Sequence, residues 1–331
     1  MTFNNEQRLP TRRDVLQIAA KTAVAAGAGL QATMAEAQKP TSSTTGTSKD
    51  EDLSQSLVDA HVHVWTPDVA RYPLAKGFTP KDMAPPSFTP EQLFGHARPC
   101  GVNRVNLIQM HFYGYDNSYM LDCIRRFPGI FAGTAVIDEH APQVEQTMGE
   151  LAKQGVRGFR IHPSKQDVEK WLFSPGMQRM WKYGAEHKLV MGALINPEAL
   201  VAVDRMCQKM PQTPVVIDHF ARIGMDGPIQ GRDLDNLCRL ARHKHTFVKT
   251  SAFYALGKKK PPYLDLAPMI RRLRDAFGPQ RLMWASDCPF QVEQGHNYLD
   301  SVDLVRQRLD FLSNDDRQWM LRKTAQRVYF S

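Results

Sequence analysis

Leu57-Val58-Asp59-Ala60-His61-Val62-His63-Val64-Trp65 is apolar at every second position and polar at Asp59, His61 and His63, the pattern of a β-strand. Side chains alternate between the two faces of a strand, so these three polar residues are expected to share one face. Near the far end, Leu282-Met283-Trp284-Ala285-Ser286-Asp287-Cys288-Pro289 is another apolar run that closes on polar groups. Six further runs lie between them, at 102–112, 131–138, 156–163, 189–196, 214–221 and 246–253. Helix-length segments at 116–127, 141–154, 174–187, 197–209, 231–243 and 262–277 separate the runs. Several open on residues suited to a helix start: Asp116 or Asn117, Ser174-Pro175 and Asn196-Pro197.

Strand and helix alternating to eight strands predict an α/β fold of the (β/α)8 TIM-barrel type. An open doubly wound sheet would use the same elements, but no Gly-x-Gly-x-x-Gly follows any strand. In a barrel the carboxyl ends of all strands form one mouth, where active sites lie. His61 and His63 come from strand one, Arg160 and His162 from strand four, and His219, with Arg222 just beyond it, from strand six. Strand seven adds Lys249 and Ser251, and strand eight adds Asp287. A lone His-x-His is more often structural, and one Asp near a proline is commonly a turn former. Five strand ends carrying His, Arg, Lys or Asp are better explained as a site, because polar groups buried together need a metal, a substrate or water.

The chain ends and the composition set further bounds. Thr11-Arg12-Arg13-Asp14-Val15-Leu16 places a twin arginine before an apolar stretch, Ile18 to Leu30, and Ala35-Glu36-Ala37 follows as a small-x-small cleavage site. Residues 1–37 therefore read as a twin-arginine export signal, which would place the mature protein in the periplasm or outside the cell. The apolar stretch is shorter than the roughly 20 residues a membrane span needs. Residues 38–56, rich in Ser and Thr, read as a disordered linker. Residues 57–331 then form one domain, of a size close to the roughly 250 residues typical of this barrel. The formal net charge of +8 suits an anionic small molecule as partner. Its basic residues are not interleaved with aromatic ones, so nucleic acid is not an expected partner, and the oligomeric state is not specified. The five cysteines, Cys100, Cys123, Cys207, Cys238 and Cys288, include no Cys-x-x-Cys and read as small buried hydrophobes. The proline-rich stretch 66–100 fits a lid over the mouth or a plain surface excursion.

Three motifs carry a family resemblance: Val58-Asp59-Ala60-His61-Val62-His63, Val216-Ile217-Asp218-His219-Phe220 and Trp284-Ala285-Ser286-Asp287-Cys288-Pro289. Together they resemble the amidohydrolase superfamily. Tyr113-Gly114-Tyr115-Asp116-Asn117 and Asp218-His219-Phe220-Ala221-Arg222 resemble its branch of 2-pyrone-4,6-dicarboxylate lactonases and related lactone hydrolases. The resemblance runs from Leu57 to the C-terminus. It implies a hydrolase that opens a lactone ring, with a carboxylated, pyrone-dicarboxylate-like substrate as the expectation.

On this reading Asp287 is the general base that takes a proton from the attacking water. His61, His63 and His219 face the developing oxyanion, as hydrogen-bond donors or through a metal. Arg160 and Arg222 clamp substrate carboxylates, with His162 and Lys249 assisting. If a metal is bound, His61, His63 and Asp287 would hold one divalent ion, zinc by ligand type. One departure bears on this. Metal-dependent members, as the resemblance implies, add a His on strand five and a carboxylated Lys or a Glu on strand four. Here 189–196 contains no His, and strand four offers Arg160 and His162. A cationic Arg160 would repel a metal, and the lactonase branch works without one, so a metal-free site is the other expectation. Two other functions fit less of the pattern: a metal-dependent non-oxidative decarboxylase, and an exported binding protein for aromatic or unsaturated acids.

Overall fold

The computed structural model describes residues 53, 55–163 and 167–331. The twin-arginine segment and nearly all of the spacer lie outside the described residues. Eight strands follow in chain order: β1 (Leu57–Val62), β2 (Val102–Ile108), β3 (Phe131–Ala135), β4 (Val156–Ile161), β5 (Val190–Ala193), β6 (Val215–Ile217), β7 (Thr246–Ser251) and β8 (Leu282–Ala285). Each pairs in parallel with the next. The ring is joined by a parallel bridge between Val62 and Cys288. There His63 N–H donates to Cys288 O at 2.8 Å, and Asp287 N–H donates to His61 O at 2.9 Å. With helices between the strands, this is a (β/α)8 barrel.

Most strands stop several residues short of the apolar run that predicts them. Residues just beyond their carboxyl ends leave extended geometry: His219 through Arg222, Ala252 and Asp287 all have positive φ. The expected helices form at Ser118–Arg126, Val144–Lys153, Pro175–His187, Leu200–Lys209, Gly231–Arg239 and Ala267–Phe277. Ser174 caps its helix by accepting from Met177 N–H, as its position before Pro175 predicts. Asn196 makes no such cap, and its Oδ1 accepts instead from Arg222 at the mouth.

The barrel interior is filled by Val58, Ala60, Ala132, Val190, Val216, Phe247, Met283 and Ala285, and Ala325 and Tyr329 of the last helix, Thr324–Tyr329, join them. A larger apolar layer lies between strands and helices, including Trp65, Trp181, Phe159, Phe220 and Phe253. Full burial of such side chains stabilises by about 1.5–3 kcal/mol each. Four of the five cysteines are buried and all five are free thiols. Among the described residues no helix is long and apolar enough to cross a membrane. The stretch after β1 is pinned down: Trp65 pairs with Phe88 and donates its Nε1–H to Pro85 O at 2.9 Å, while Ala75 N–H bonds Phe112 O.

One expectation about β1 is corrected. Asp59 does not share a face with His61 and His63. From Asp59 to Val62 the strand takes three steps while its partner takes two, from Val105 to Leu107. This bulge breaks the alternation. Asp59 turns outward, where its carboxylate accepts from Ser286 N–H (2.9 Å), His61 N–H (3.1 Å) and the Tyr298 hydroxyl (2.7 Å). It thereby fastens β8 to β1 at the point of closure. Asp59→Ala would orphan these buried donors at about 1–3 kcal/mol each. The expected outcome is a loss of at least about 3 kcal/mol in urea denaturation; a change below about 1 kcal/mol would show that closure does not depend on this carboxylate.

Candidate active site

The barrel's closure sets the imidazoles of β1 beside the carboxylate that follows β8. His63 Nδ1–H donates to Ile108 O at 2.9 Å, which leaves Nε2 of the neutral ring as a lone pair facing inward. His219 is held in the same way: its Nδ1 lies 2.8 Å from Ser251 Oγ, whose own proton goes to Lys249 O. Its Nε2 also faces inward. Asp287 Oδ1 lies 3.4 Å from His61 Nε2, 3.4 Å from His63 Nε2 and 3.8 Å from His219 Nε2. Asp287 Oδ2 accepts from the Tyr254 hydroxyl at 2.7 Å. His61 stands between two levels. Its Nε2 is 3.2 Å from His63 Nε2, and its Nδ1 is 3.2 Å from Lys249 Nζ and 3.4 Å from Asp218 Oδ1.

The backbone that delivers these groups is strained. After β6, His219, Phe220, Ala221 and Arg222 are left-handed in succession, with φ of 50°, 54°, 53° and 59°. Asp287 has φ 65° and Ala252 has φ 56°. Such residues cost about 1–2 kcal/mol each and concentrate at functional sites. The left-handed run brings the adjacent Asp218 and His219 to the same cluster, which an extended strand would place on opposite faces.

Below the imidazoles Lys249 Nζ pairs with Asp218 Oδ1 at 2.9 Å, and both residues are buried. The sequence groups Lys249 with the substrate-side cations of the mouth; the barrel sets it on the floor instead. Arg160 Nη2 is 3.9 Å from Asp218 Oδ2, with a side chain 12% exposed. Arg222 reaches Asn196 Oδ1 at 3.2 Å, and His162 is exposed just beyond β4.

Burial opposes ionisation of Asp287, but His219, His63 and His61 hold its carboxyl below the usual carboxylate range. Burial also opposes ionisation of Asp218, and Lys249 and His61 overcome it, so its carboxyl stays well below that range. Burial, reinforced by Lys249, keeps His61 far below the ordinary imidazole value, and burial pushes His219 down to about 4. Burial and the Asp287 charge raise the Tyr254 hydroxyl well above its usual value, so it remains a donor. The cluster thus sets two ionised carboxylates, Asp218 and Asp287, and the neutral imidazoles of His61 and His219 beside the basic side chains of Lys249, Arg160 and Arg222.

A divalent cation fits this donor set. The Nε2 atoms of His63 and His219 lie 3.4 Å and 3.8 Å from the same carboxylate oxygen, so the three offer converging electron pairs that a cation can share. Ligand atoms of His61, His219 and Asp287 all lie within 4.8 Å of one another. The trio differs from the His61, His63 and Asp287 set expected from the sequence by exchanging one imidazole. Imidazole ligands oriented through their second nitrogen are the usual support of a zinc site.

Sequence reasoning did not single out Asp218 or Tyr254 as site residues. Asp218 carried a signal, its place beside His219 in the motif. Tyr254 follows β7 in a short turn where no periodicity marks it.

The chain is 26% identical over 269 residues to the 4-sulfomuconolactone hydrolase of Hydrogenophaga intermedia, covering 78% of this chain and 84% of that one. It is 26% identical over 245 residues to the L-fucono-1,5-lactonase of Burkholderia ambifaria, covering 72% and 82%. Among solved structures it shares its fold with a zinc-bound amidohydrolase from Burkholderia multivorans (TM-score 0.71, 22% identity, covering 83% and 99%). The fold is shared too with 5-carboxyvanillate decarboxylase from Sphingomonas paucimobilis (TM-score 0.59, 13% identity, covering 83% and 99%). The family model described as Amidohydrolase matches residues 58–330, essentially the whole barrel, and the chain belongs to that family.

Proposed function

We propose that this protein hydrolyses a lactone that bears a carboxylate or a comparable anionic group. The observation that carries the reading is an ionised Asp287 set against three imidazoles, below a mouth that holds Arg160 and Arg222. Two curated relatives named for lactone hydrolysis support the reaction class. The twin arginine and cleavage site support export to the periplasm or beyond.

Asp287 Oδ1 is the proton acceptor for the attacking water. The inward lone pair of His219 accepts the water's other hydrogen and orients it. In this tautomer His219 acts on the water and not as a donor to the oxyanion. As the water oxygen bonds to the lactone carbonyl carbon, its proton passes to Asp287. The ring C–O bond then breaks, and the departing oxygen recovers a proton to give the hydroxy acid. Tyr254 holds Asp287 by its other oxygen and fixes which one meets the water. Arg160 and Arg222 bind the substrate's anionic group, Arg222 steadied by Asn196. His61, His63, His219 and Asp287 are the residues that would hold a divalent ion, zinc by donor type; when bound it supplies Lewis-acid polarisation of the carbonyl.

The test is turnover of 2-pyrone-4,6-dicarboxylate, followed by loss of its ultraviolet absorbance, alongside L-fucono-1,5-lactone, with and without chelator. Hydrolysis of the anionic lactone is expected; failure on every anionic lactone tried would overturn the reading. Asp287→Asn should lower kcat by about 10²–10⁴-fold in a folded protein, the range for a lost general base. Retained turnover would remove Asp287 from the mechanism. Arg222→Ala removes charged hydrogen bonds of about 1.5–3 kcal/mol, so KM for a carboxylated lactone should rise about 10–100-fold. A neutral lactone should be little affected, and equal effects on both would show that Arg222 does not read the anion.

In chelator-treated protein His219 stays neutral in the fold down to about pH 4, while an unfolded histidine protonates near 6.5. Between those values the unfolded chain binds more protons, so stability falls as pH drops through the window, by about 3 kcal/mol in total. His219→Gln lacks this contribution, and its Tm should decline less than wild type between pH 7 and pH 4. Parallel declines would mean that His219 is not held neutral.

A further inference from the structure

We propose that Lys249 sets the affinity of the imidazole cluster for a divalent cation by fixing which nitrogen of His61 carries the proton. This rests on the geometry of the floor of the mouth and not on the identity of the substrate.

Lys249 is 1% exposed, and its ammonium carries only donors. At 3.2 Å from His61 Nδ1 it is a hydrogen-bond partner only if that nitrogen presents a lone pair. The imidazole proton then sits on Nε2. From there it points at His63 Nε2, 3.2 Å away, and at Asp287 Oδ1, 3.4 Å away. His63 can accept it, because its own proton is committed to Ile108 O. The contacts are mutually consistent, and they place a proton where a cation would need a lone pair.

The alternative arrangement uses the same atoms. If His61 moves its proton to Nδ1, Asp218 Oδ1 at 3.4 Å is the available acceptor, and Nε2 is freed for a metal. Lys249 must then give up its bond to His61 and keep only Asp218, at 2.9 Å. Its charge also stays close beneath a divalent ion, in a buried setting where repulsion is weakly screened. Lys249 therefore opposes cation binding twice, through the tautomer and through its charge. It is a positioning residue that acts through His61.

Two variants separate these effects. Lys249→Met removes both the donor and the charge. Lys249→Met with Asp218→Asn removes the donor while leaving the net charge of the pair unchanged, and spares the fold an unpaired buried carboxylate. In the double variant the amide oxygen introduced at position 218 still accepts from His61 Nδ1–H. Zinc affinity is measured on the mature protein by competition with a chromophoric chelator. The His61 tautomer is read from its imidazole ¹⁵N shifts in the metal-free state, assigned by loss of the signals in His61→Gln.

Both variants are expected to bind Zn²⁺ at least tenfold more tightly than wild type. The wild-type ring should carry its proton on Nε2 and the double-variant ring on Nδ1. Unchanged or weaker zinc affinity in a folded double variant would overturn the proposal. So would a wild-type His61 that already carries its proton on Nδ1.

Discussion

Two carboxylates, Asp218 and Asp287, are buried at the floor of the mouth, and their compensation organises the residues around them. Removing a charge from water costs several kcal/mol even after the protein relaxes, so each needs partners within a few ångströms. The partners come from across the barrel. Lys249 of β7, Arg160 of β4 and His61 of β1 meet Asp218. His61 and His63 of β1, His219 beyond β6 and Tyr254 beyond β7 meet Asp287. Neither set can assemble until non-adjacent strands have taken their places in the ring. The same carboxylates then depend on the joint between β1 and β8, which Asp59 fastens from the outer side.

The strain at the strand ends follows from that demand. A regular strand end would present alternate residues, one inward and one outward. The four left-handed residues after Asp218 abandon that alternation, so that Asp218 reaches Lys249 while His219 reaches Ser251 and Asp287. A run of this kind survives only where surrounding contacts determine it. Here the hydrogen bond between His219 and Ser251 and the burial of Phe220 and Ala221 supply them.

The sequence made the barrel legible because its strands are buried on both faces and its helices carry start signals such as Ser174-Pro175. It made the cluster legible where polar residues sit at strand ends, as His61, His63, His219 and Asp287 do. What it could not convey was geometry that breaks the period of two. Asp59 reads as a companion of His61, and only the bulge in β1 sends it outward. Asp218 reads as facing away from His219, and only the left-handed turn brings both in. Lys249 shows a different limit. Its place on β7 is apparent, but whether a strand residue faces the mouth or the floor depends on its height in the barrel. That height is set by the stagger of the strands, which no local pattern encodes.

The charges of the site also constrain what it accepts. With the imidazoles neutral, Lys249, Arg160 and Arg222 face Asp218 and Asp287, so the cluster holds one positive charge in excess. Lys249 is committed to Asp218 at 2.9 Å, which leaves Arg160, 3.9 Å from that carboxylate, and Arg222 to meet an incoming anion. A single substrate carboxylate brings the cluster to neutrality, the state a water-poor pocket favours. A second carboxylate would have to remain toward the rim, near the exposed His162 and solvent. A divalent ion would raise the excess to three and favour more highly charged anions. Metal content and substrate charge are therefore linked through one electrostatic balance, and Lys249 lies at its centre.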